Sequence, residues 1–216
     1  MNYKIVLTKD GSNTLFCAKF NEHYHSLHGA ITESLHVYIN TGFKNVEKED
    51  VSILEIGFGT GLNAFLTCIT NDDKKKIFYT AVDPNNLEYK LIKKLRYFND
   101  KYQESLFFKM HNYEISKNVM ITRNFNFEKI SSKIEKINFK NKFDLIYFDA
   151  FSPNRHPEIW SFNILNKLYN VLMKNGIVVT YCAKGSIKRL MNEIGFKVDV
   201  LNGPPGKREI IRATKL

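Results

Sequence analysis

Cysteine is scarce and scattered: Cys17, Cys68 and Cys182 are the only three in 216 residues, and no two form a Cys-x-x-Cys pair. That spacing excludes a disulfide framework and a zinc knuckle, and a reduced cytoplasm is the expected setting. No apolar run is long enough for a membrane helix, and the opening stretch MNYKIVLTKDGSN lacks a secretory h-region and cleavage site. His23, His25, His28 and His36 cluster in sequence, but their spacing fits no ligand pattern and no cysteine or acid triad joins them, so no metal is expected. His25 reads better as a hydrogen-bonding group in a pocket. Acidic residues are also in deficit, 22 against 32 Lys and Arg, a net charge of +10. An anionic partner is therefore favoured over a cationic one.

What is present describes a packed globular domain. Hydrophobic residues are 44% of the chain and aromatics 13%, and the length suits one α/β domain with a full core. The charge is uneven. Residues 1–50 hold five Lys/Arg against six Asp/Glu, whereas residues 184–216 hold eight against three, so the C-terminal end is where a phosphate backbone is expected to lie.

Segments 3–8 and 13–18, joined by Asp10-Gly11-Ser12, read as a β-hairpin, and His28 to Asn40 as a helix with Ile31, Leu35 and Ile39 on one face. From Val51 the pattern alternates. Strands are expected at 51–56, 77–82, 143–149, 176–182, 196–201 and 208–213, with helices near 61–70, 86–98, 157–173 and 185–194. Such alternation predicts βαβ units and a doubly wound, mostly parallel sheet. Gly203-Pro204-Pro205-Gly206 joins the last two strands tightly, which predicts a hairpin and an antiparallel edge strand. The expected organisation is an N-terminal extension over 1–50, packed on a core domain over 51–216. Residues 100–140 show no clear pattern.

The stretch ILEIGFGTGLN, Ile53 to Asn63, turns from strand to helix through glycines at alternate positions. Such a turn brings backbone N–H groups and a helix N-terminus up to a ligand. It is not a dinucleotide fingerprint, and with no Gly-Lys-Ser/Thr it is not a P-loop. Glu55 precedes the turn, and Asp83 ends the next strand, where an acid can take ribose hydroxyls. This acid-x-Gly-x-Gly-x-Gly turn with a second acid resembles the site of class I S-adenosylmethionine (SAM) methyltransferases, whose Rossmann-like fold it implies. Carboxylates near a sulfonium and an amine suit that cationic ligand.

Asp149-Ala150-Phe151-Ser152-Pro153 follows a third strand, with Asp149 at the ligand-binding edge and Phe151 and Pro153 as apolar walls. It resembles the Asp/Asn-Pro-Pro-aromatic of amino-group methyltransferases. A carboxylate there can orient an amine and accept its proton; as a bare turn cap it would do neither.

Three further stretches, YHSLHGAITESLHVYI from Tyr24, TYCAKG from Thr180 and GPPGKRE from Gly203, join DAFSP and Pro157-Glu158-Ile159-Trp160 in an order that resembles the tRNA 5-methylaminomethyl-2-thiouridine methyltransferase family. That family comprises stand-alone MnmD enzymes and the methyltransferase half of bifunctional MnmC. The resemblance runs from about Tyr24 to Ala213. It implies SAM-dependent methylation of the primary amine of 5-aminomethyl-(2-thio)uridine at the tRNA wobble position. Tyr24, Ser26 and Glu33 would close over the cofactor, and Glu55, Gly57, Phe58, Gly59, Gly61 and Asn63 would form its loop. Asp83 would take the ribose and Asp149 face the amine. The family usually has Glu where Asp83 stands, and here Pro84 follows at once. No FAD oxidase half is expected, and the partner implied is the tRNA anticodon loop; the sequence leaves the oligomeric state open, with a monomer favoured.

Lys184, Lys207 and Arg208 are the candidate phosphate contacts, with ordinary solvated cations the alternative. Trp160 is either base-stacking or core. Two other functions stay open: a small-molecule amine methyl- or aminopropyltransferase of the polyamine-synthase type, and a non-catalytic RNA-binding module. The first usually carries an acid inside the loop, where this chain has Phe58, Thr60 and Leu62; the second has no need of Asp149.

Overall fold

In the computed structural model, which describes residues 2–111 and 118–216, the β-branched runs form the centre of one large sheet. The elements in chain order are β1 (Tyr3–Leu7), β2 (Asn13–Cys17), β3 (Glu22–His23), α1 (Ala30–Ser34), β4 (Asp50–Ile56), α2 (Leu62–Asn71), β5 (Lys76–Val82), α3 (Tyr89–Ile92) and α4 (Lys101–Met110). They continue with β6 (Val119–Thr122), β7 (Phe125–Ile130), β8 (Phe143–Phe148), α5 (Phe162–Val171), β9 (Leu172–Thr180), α6 (Gly185–Ile194), β10 (Phe196–Asn202) and β11 (Glu209–Lys215).

The large sheet runs β10-β11-β9-β8-β4-β5-β7-β6, and β1-β2-β3 form a small second sheet. β7, β5, β4, β8 and β9 are mutually parallel. The chain leaves β4 for β5 on one side and returns to β8 on the other, so β4 and β8 flank the switch point where open α/β sheets bind ligands. Period-two alternation sorts the residues of β4. Ile53 joins the cluster under α2 and α4, while Leu54 and Ile56 join the cluster under α5 and α6. Glu55 shares the Ile53 face and is fully buried beside Tyr147 and Ala81.

Several expectations shift. The GPPG hairpin forms and puts β10 at the sheet edge, paired antiparallel with β11, while the strands that run against the parallel set are β11, inside the sheet between β9 and β10, and β6 at the other edge. The helix expected at 86–98 shrinks to α3. The backbone tightens to i→i+3 bonds at Lys94 and Leu95, and the Arg96 guanidinium donates to the carbonyls of Lys93 and Leu95. Only Ile92 is buried from α3; Leu87, Leu95 and Tyr97 bury themselves from irregular chain, so most of the apolar spacing is met without a helix. The helix expected over 157–173 breaks at Ser161, and β9 starts early because a bulge with Asn175 at φ 63° shifts its register on β8. Residues 100–140 hold α4, β6 and β7.

The N-terminal helix also changes register. After α1, residues Leu35–Asn40 form a wider π turn, which rotates Val37, Tyr38 and Ile39 inward together and leaves Ile31 and Leu35 half-buried. The hairpin turn has a second use. Asp10 Oδ2 accepts from Thr32 N (2.9 Å) and Ser12 Oγ from Ala30 N (3.2 Å), so the β1–β2 turn caps α1. Hydrogen bonds from the Ser12 hydroxyl, Thr32 N, the Thr8 hydroxyl and Ser12 N hold the Asp10 carboxyl well below the usual carboxylate range, against the desolvation that is the largest single influence on it. Among the described residues no helix is long and apolar enough to cross a membrane.

Candidate active site

The loops after β4, β5 and β8 open onto a cleft of about 740 Å³, roofed by the segment that follows β2. Its floor is the glycine turn. Gly57, Gly59 and Gly61 all adopt positive φ (94°, 51° and 76°). A Cβ on Gly57 would lie 2.3 Å from the Asp149 carbonyl oxygen, and one on Gly59 2.8 Å from the Tyr24 ring. The glycines thus let β8 and the N-terminal segment approach the turn. Phe58 turns its ring away into the core against Phe127 and His111, so only its backbone is available to a ligand.

Three carboxylates end the central strands. Asn63, at the start of α2, donates from Nδ2 to Glu55 Oε1 (3.0 Å) and to Asp149 Oδ2 (2.8 Å), so one amide bridges two acids. Burial pushes the Asp149 carboxyl up to about 7; the Tyr38 hydroxyl, the Asn63 amide and the charge of Lys207 oppose that rise, and Glu33 adds to it. Glu55 is driven well upward by burial too. Asp83 accepts from Gly59 N (2.9 Å) and Asn85 N (2.8 Å), which fastens the glycine turn to β5. Lys129 of β7 lies over the Phe58 ring at 4.5 Å; burial lowers its ammonium to about 8 while Asp83 and Glu55 pull it back up.

The N-terminal motif folds over this floor. Tyr24 packs edge-on against Phe151 at 5.0 Å. Buried His25 bridges Thr14 and Thr60 (both 3.3 Å), and desolvation lowers it to about 4, so it is a neutral hydrogen-bonding link. Ser26 N donates to Glu33 Oε2 (2.7 Å), and Glu33 Oε1 pairs with Lys207 Nζ at 2.9 Å. The other histidines have separate uses: His23 packs on Phe16, His36 bonds Asn202 O, and His28 sits against the hairpin tip at Gly206.

The structure therefore gathers most of the expected cofactor residues. Tyr24, Ser26, Glu33, Gly57, Phe58, Gly59, Asn63 and Asp83 line the cleft with Asp149 and Phe151. Glu55 lies behind Asn63, and Gly61 packs under His111. The expected phosphate contacts divide. Pro153, Lys184, Lys207 and Arg208 meet at a shallow outer groove of about 440 Å³, and Lys207 and Tyr181 form the partition between groove and cleft. Arg208 is exposed and Lys184 reaches Asn154 Oδ1, as surface cations can. Lys207 is turned inward: it pairs with Glu33 and sits 4.0 Å over the Tyr181 ring. Trp160 is core, packed on Phe148 with its Nε1 bonded to Phe151 O at 2.8 Å. Sequence reading missed Phe20, Tyr38, Lys129 and Tyr181. Tyr38 and Tyr181 stood inside quoted motifs; nothing local marks Phe20 or Lys129.

The floor suits S-adenosylmethionine. Asn63 Oδ1, on the cleft floor, is a buried acceptor without a hydrogen-bond partner, among the described residues. Such an orphaned acceptor is costly unless a ligand supplies a donor, which a methionine ammonium does.

Comparisons agree with this chemistry. The family described as S-adenosyl-L-methionine-dependent methyltransferase matches residues 93–216. A curated protein of Campylobacter jejuni subsp. doylei, named tRNA 5-methylaminomethyl-2-thiouridine biosynthesis bifunctional protein MnmC, is 29% identical over 93% of this chain and 35% of its own length. The namesake from Leptospira borgpetersenii is 25% identical over 89% of this chain and 32% of its own. The chain thus spans about a third of these relatives. Among solved structures, MNMC2 from Aquifex aeolicus superposes with a TM-score of 0.82 at 24% identity, over 98% of this chain and 70% of that one. Spermidine synthase from Thermotoga maritima reaches 0.59 at 14%, over 99% and 69%. These two likenesses are of fold.

Proposed function

The chain belongs to the S-adenosyl-L-methionine-dependent methyltransferase family, and on that footing we propose that it methylates the primary amine of 5-aminomethyl-(2-thio)uridine at the wobble position of tRNA. The observation that carries this reading is Asp149 at the end of β8, on the floor of the cleft and bridged through Asn63 to Glu55.

When bound, S-adenosylmethionine supplies a methyl group on a cationic sulfonium, open to attack by a nitrogen lone pair. Glu55, Asn63 and the turn 57–61 would hold its methionine end, Asp83 its ribose, and Tyr24, Ser26 and Glu33 would close the roof. Asp149 would accept the substrate amine's hydrogens, fixing the lone-pair direction, and take up the proton released as the C–N bond forms. A carboxylate also stabilises the ammonium, which cannot attack; lifting the Asp149 pKa to about 7 weakens that opposing effect. Pro153, Lys184 and Arg208 would meet the anticodon loop at the outer groove, where an unpaired base needs no duplex opening.

The names of the MnmC relatives support the substrate. The test is to incubate the purified protein with methyl-labelled S-adenosylmethionine and tRNA lacking this methyl group, then digest to nucleosides for mass spectrometry. Label in 5-methylaminomethyl-(2-thio)uridine is expected; transfer to small polyamines alone would replace the reading with the polyamine-synthase type.

A further inference from the structure

The turn between β2 and β3 projects Lys19 and Phe20 across the cleft mouth onto the loop that follows Asp149. Phe20 stacks on Phe151 with centroids 4.4 Å apart and planes 24° from parallel, and His156 flanks it at 5.7 Å. Among the described residues neither ring belongs to the two apolar clusters that make the core. Both stay half-buried at the edge of open space. Over Phe20 lies the ammonium of Lys19, an exposed and flexible side chain 5.2 Å from the ring.

The charges around these rings are arranged for a phosphodiester. Lys19 and Arg155 are exposed and, among the described residues, in no ion pair. Of the nearby acids, Glu22 accepts from Ser152 N (3.0 Å), and Glu158 is exposed with its carboxylate 3.9 Å from His156 Nε2. Residues 151–155 form a wall with Lys19 and Arg155 on the cleft side, and with Lys184 and Arg208 on the outer-groove side. A single strand crossing that wall would find a cation on each flank and an aromatic face beside the reacting position.

We propose that the stacked pair Phe20 and Phe151 is a platform for the unpaired nucleobase next to the reacting uridine, with Lys19 and Arg155 holding the phosphates that flank it. This rests on the reading of RNA as substrate. Single-stranded bases are bound by stacking on aromatic rings beside a cationic track, which is the combination found here.

The test uses the whole protein and an anticodon stem–loop bearing the reacting nucleotide, either intact or with one neighbour of that nucleotide abasic. Wild type should lose affinity by roughly 5- to 150-fold for one of the two abasic loops, the range for a single lost stack. Phe20→Leu, which keeps apolar bulk, should lose as much on intact RNA and nothing more on the abasic loop. Phe20→Trp should restore binding, with S-adenosylmethionine affinity and thermal stability unchanged throughout. A wild-type enzyme that methylates the intact loop but ignores both abasic changes would overturn the platform and leave the substrate reading standing. Failure to bind the intact loop would overturn both.

Discussion

The side-chain amide of Asn63 donates to Asp149 Oδ2 across 2.8 Å while its other hydrogen serves Glu55 Oε1 at 3.0 Å. The amide has two N–H donors, and each acid takes one. Two buried carboxyl groups are thus held near one another through one neutral amide.

Asp149→Asn keeps the shape and an acceptor for Asn63 but loses the charge. Turnover should fall by roughly 10²–10⁴-fold, the usual range for a lost general base. Calorimetry should show S-adenosylmethionine binding nearly intact, because the turn 57–61, Glu55 and Asp83 remain. Near-wild-type single-turnover rates would reduce Asp149 to a turn cap.

The raised pKa of Asp149 has a stability consequence. A carboxyl whose folded pKa, about 7, lies above its unfolded value binds more protons when folded. Stability from this group is therefore intact below about pH 4 and is lost as pH rises towards 7. Asp149→Asn should melt above wild type at pH 8, with the gap closing by pH 4. A gap that widens on acidification would show that Asp149 is ionised without penalty.

Asn63→Asp replaces the bridging donor with a third carboxylate. Like charges then raise the acids' pKa values further, so the protein should melt lower at pH 8 than at pH 5, and the acid limb of the activity profile should move to higher pH. An unmoved limb would remove Asn63 from the site's electrostatics.

Gly59→Val forces a β-branched residue to φ 51° with its Cβ 2.8 Å from Tyr24. Cofactor affinity should fall at least tenfold, and circular dichroism should remain that of a folded domain. Wild-type affinity would disprove that the turn contacts the cofactor.

Salt dependence separates the cations of the outer groove. Lys184→Ala and Arg208→Ala should each make the slope of log affinity for tRNA against log salt shallower by about 0.7–0.9. Lys207→Met should instead lower the melting temperature and turnover with little change of slope, because its charge is spent on Glu33 and the Tyr181 ring. A slope change at Lys207 equal to that at Arg208 would contradict the inward placement.

The strand–glycine–helix unit at 51–71 was legible because every part is local: β-branched residues make the strand, alternate glycines permit positive φ, and α2 follows. The alternation after Val51 likewise dictated a doubly wound sheet, and strand ends placed Glu55, Asp83 and Asp149 at one edge. Local pattern misled where several backbone paths bury the same side chains, as at 86–98, or where a π turn rotates a face, as at 35–40. Only the tertiary structure decided which distant groups share a desolvated volume. Gly206 against His28 and Lys207 against Glu33 join the two ends of the chain, and a lysine that reads as a free surface cation becomes a half-buried, paired one. The same holds for Asp149, whose charge state follows from burial and from Tyr38, Asn63, Glu33 and Lys207 gathered round it. Desolvation and Coulomb energies depend on distances through space, and separation along the chain does not encode those distances.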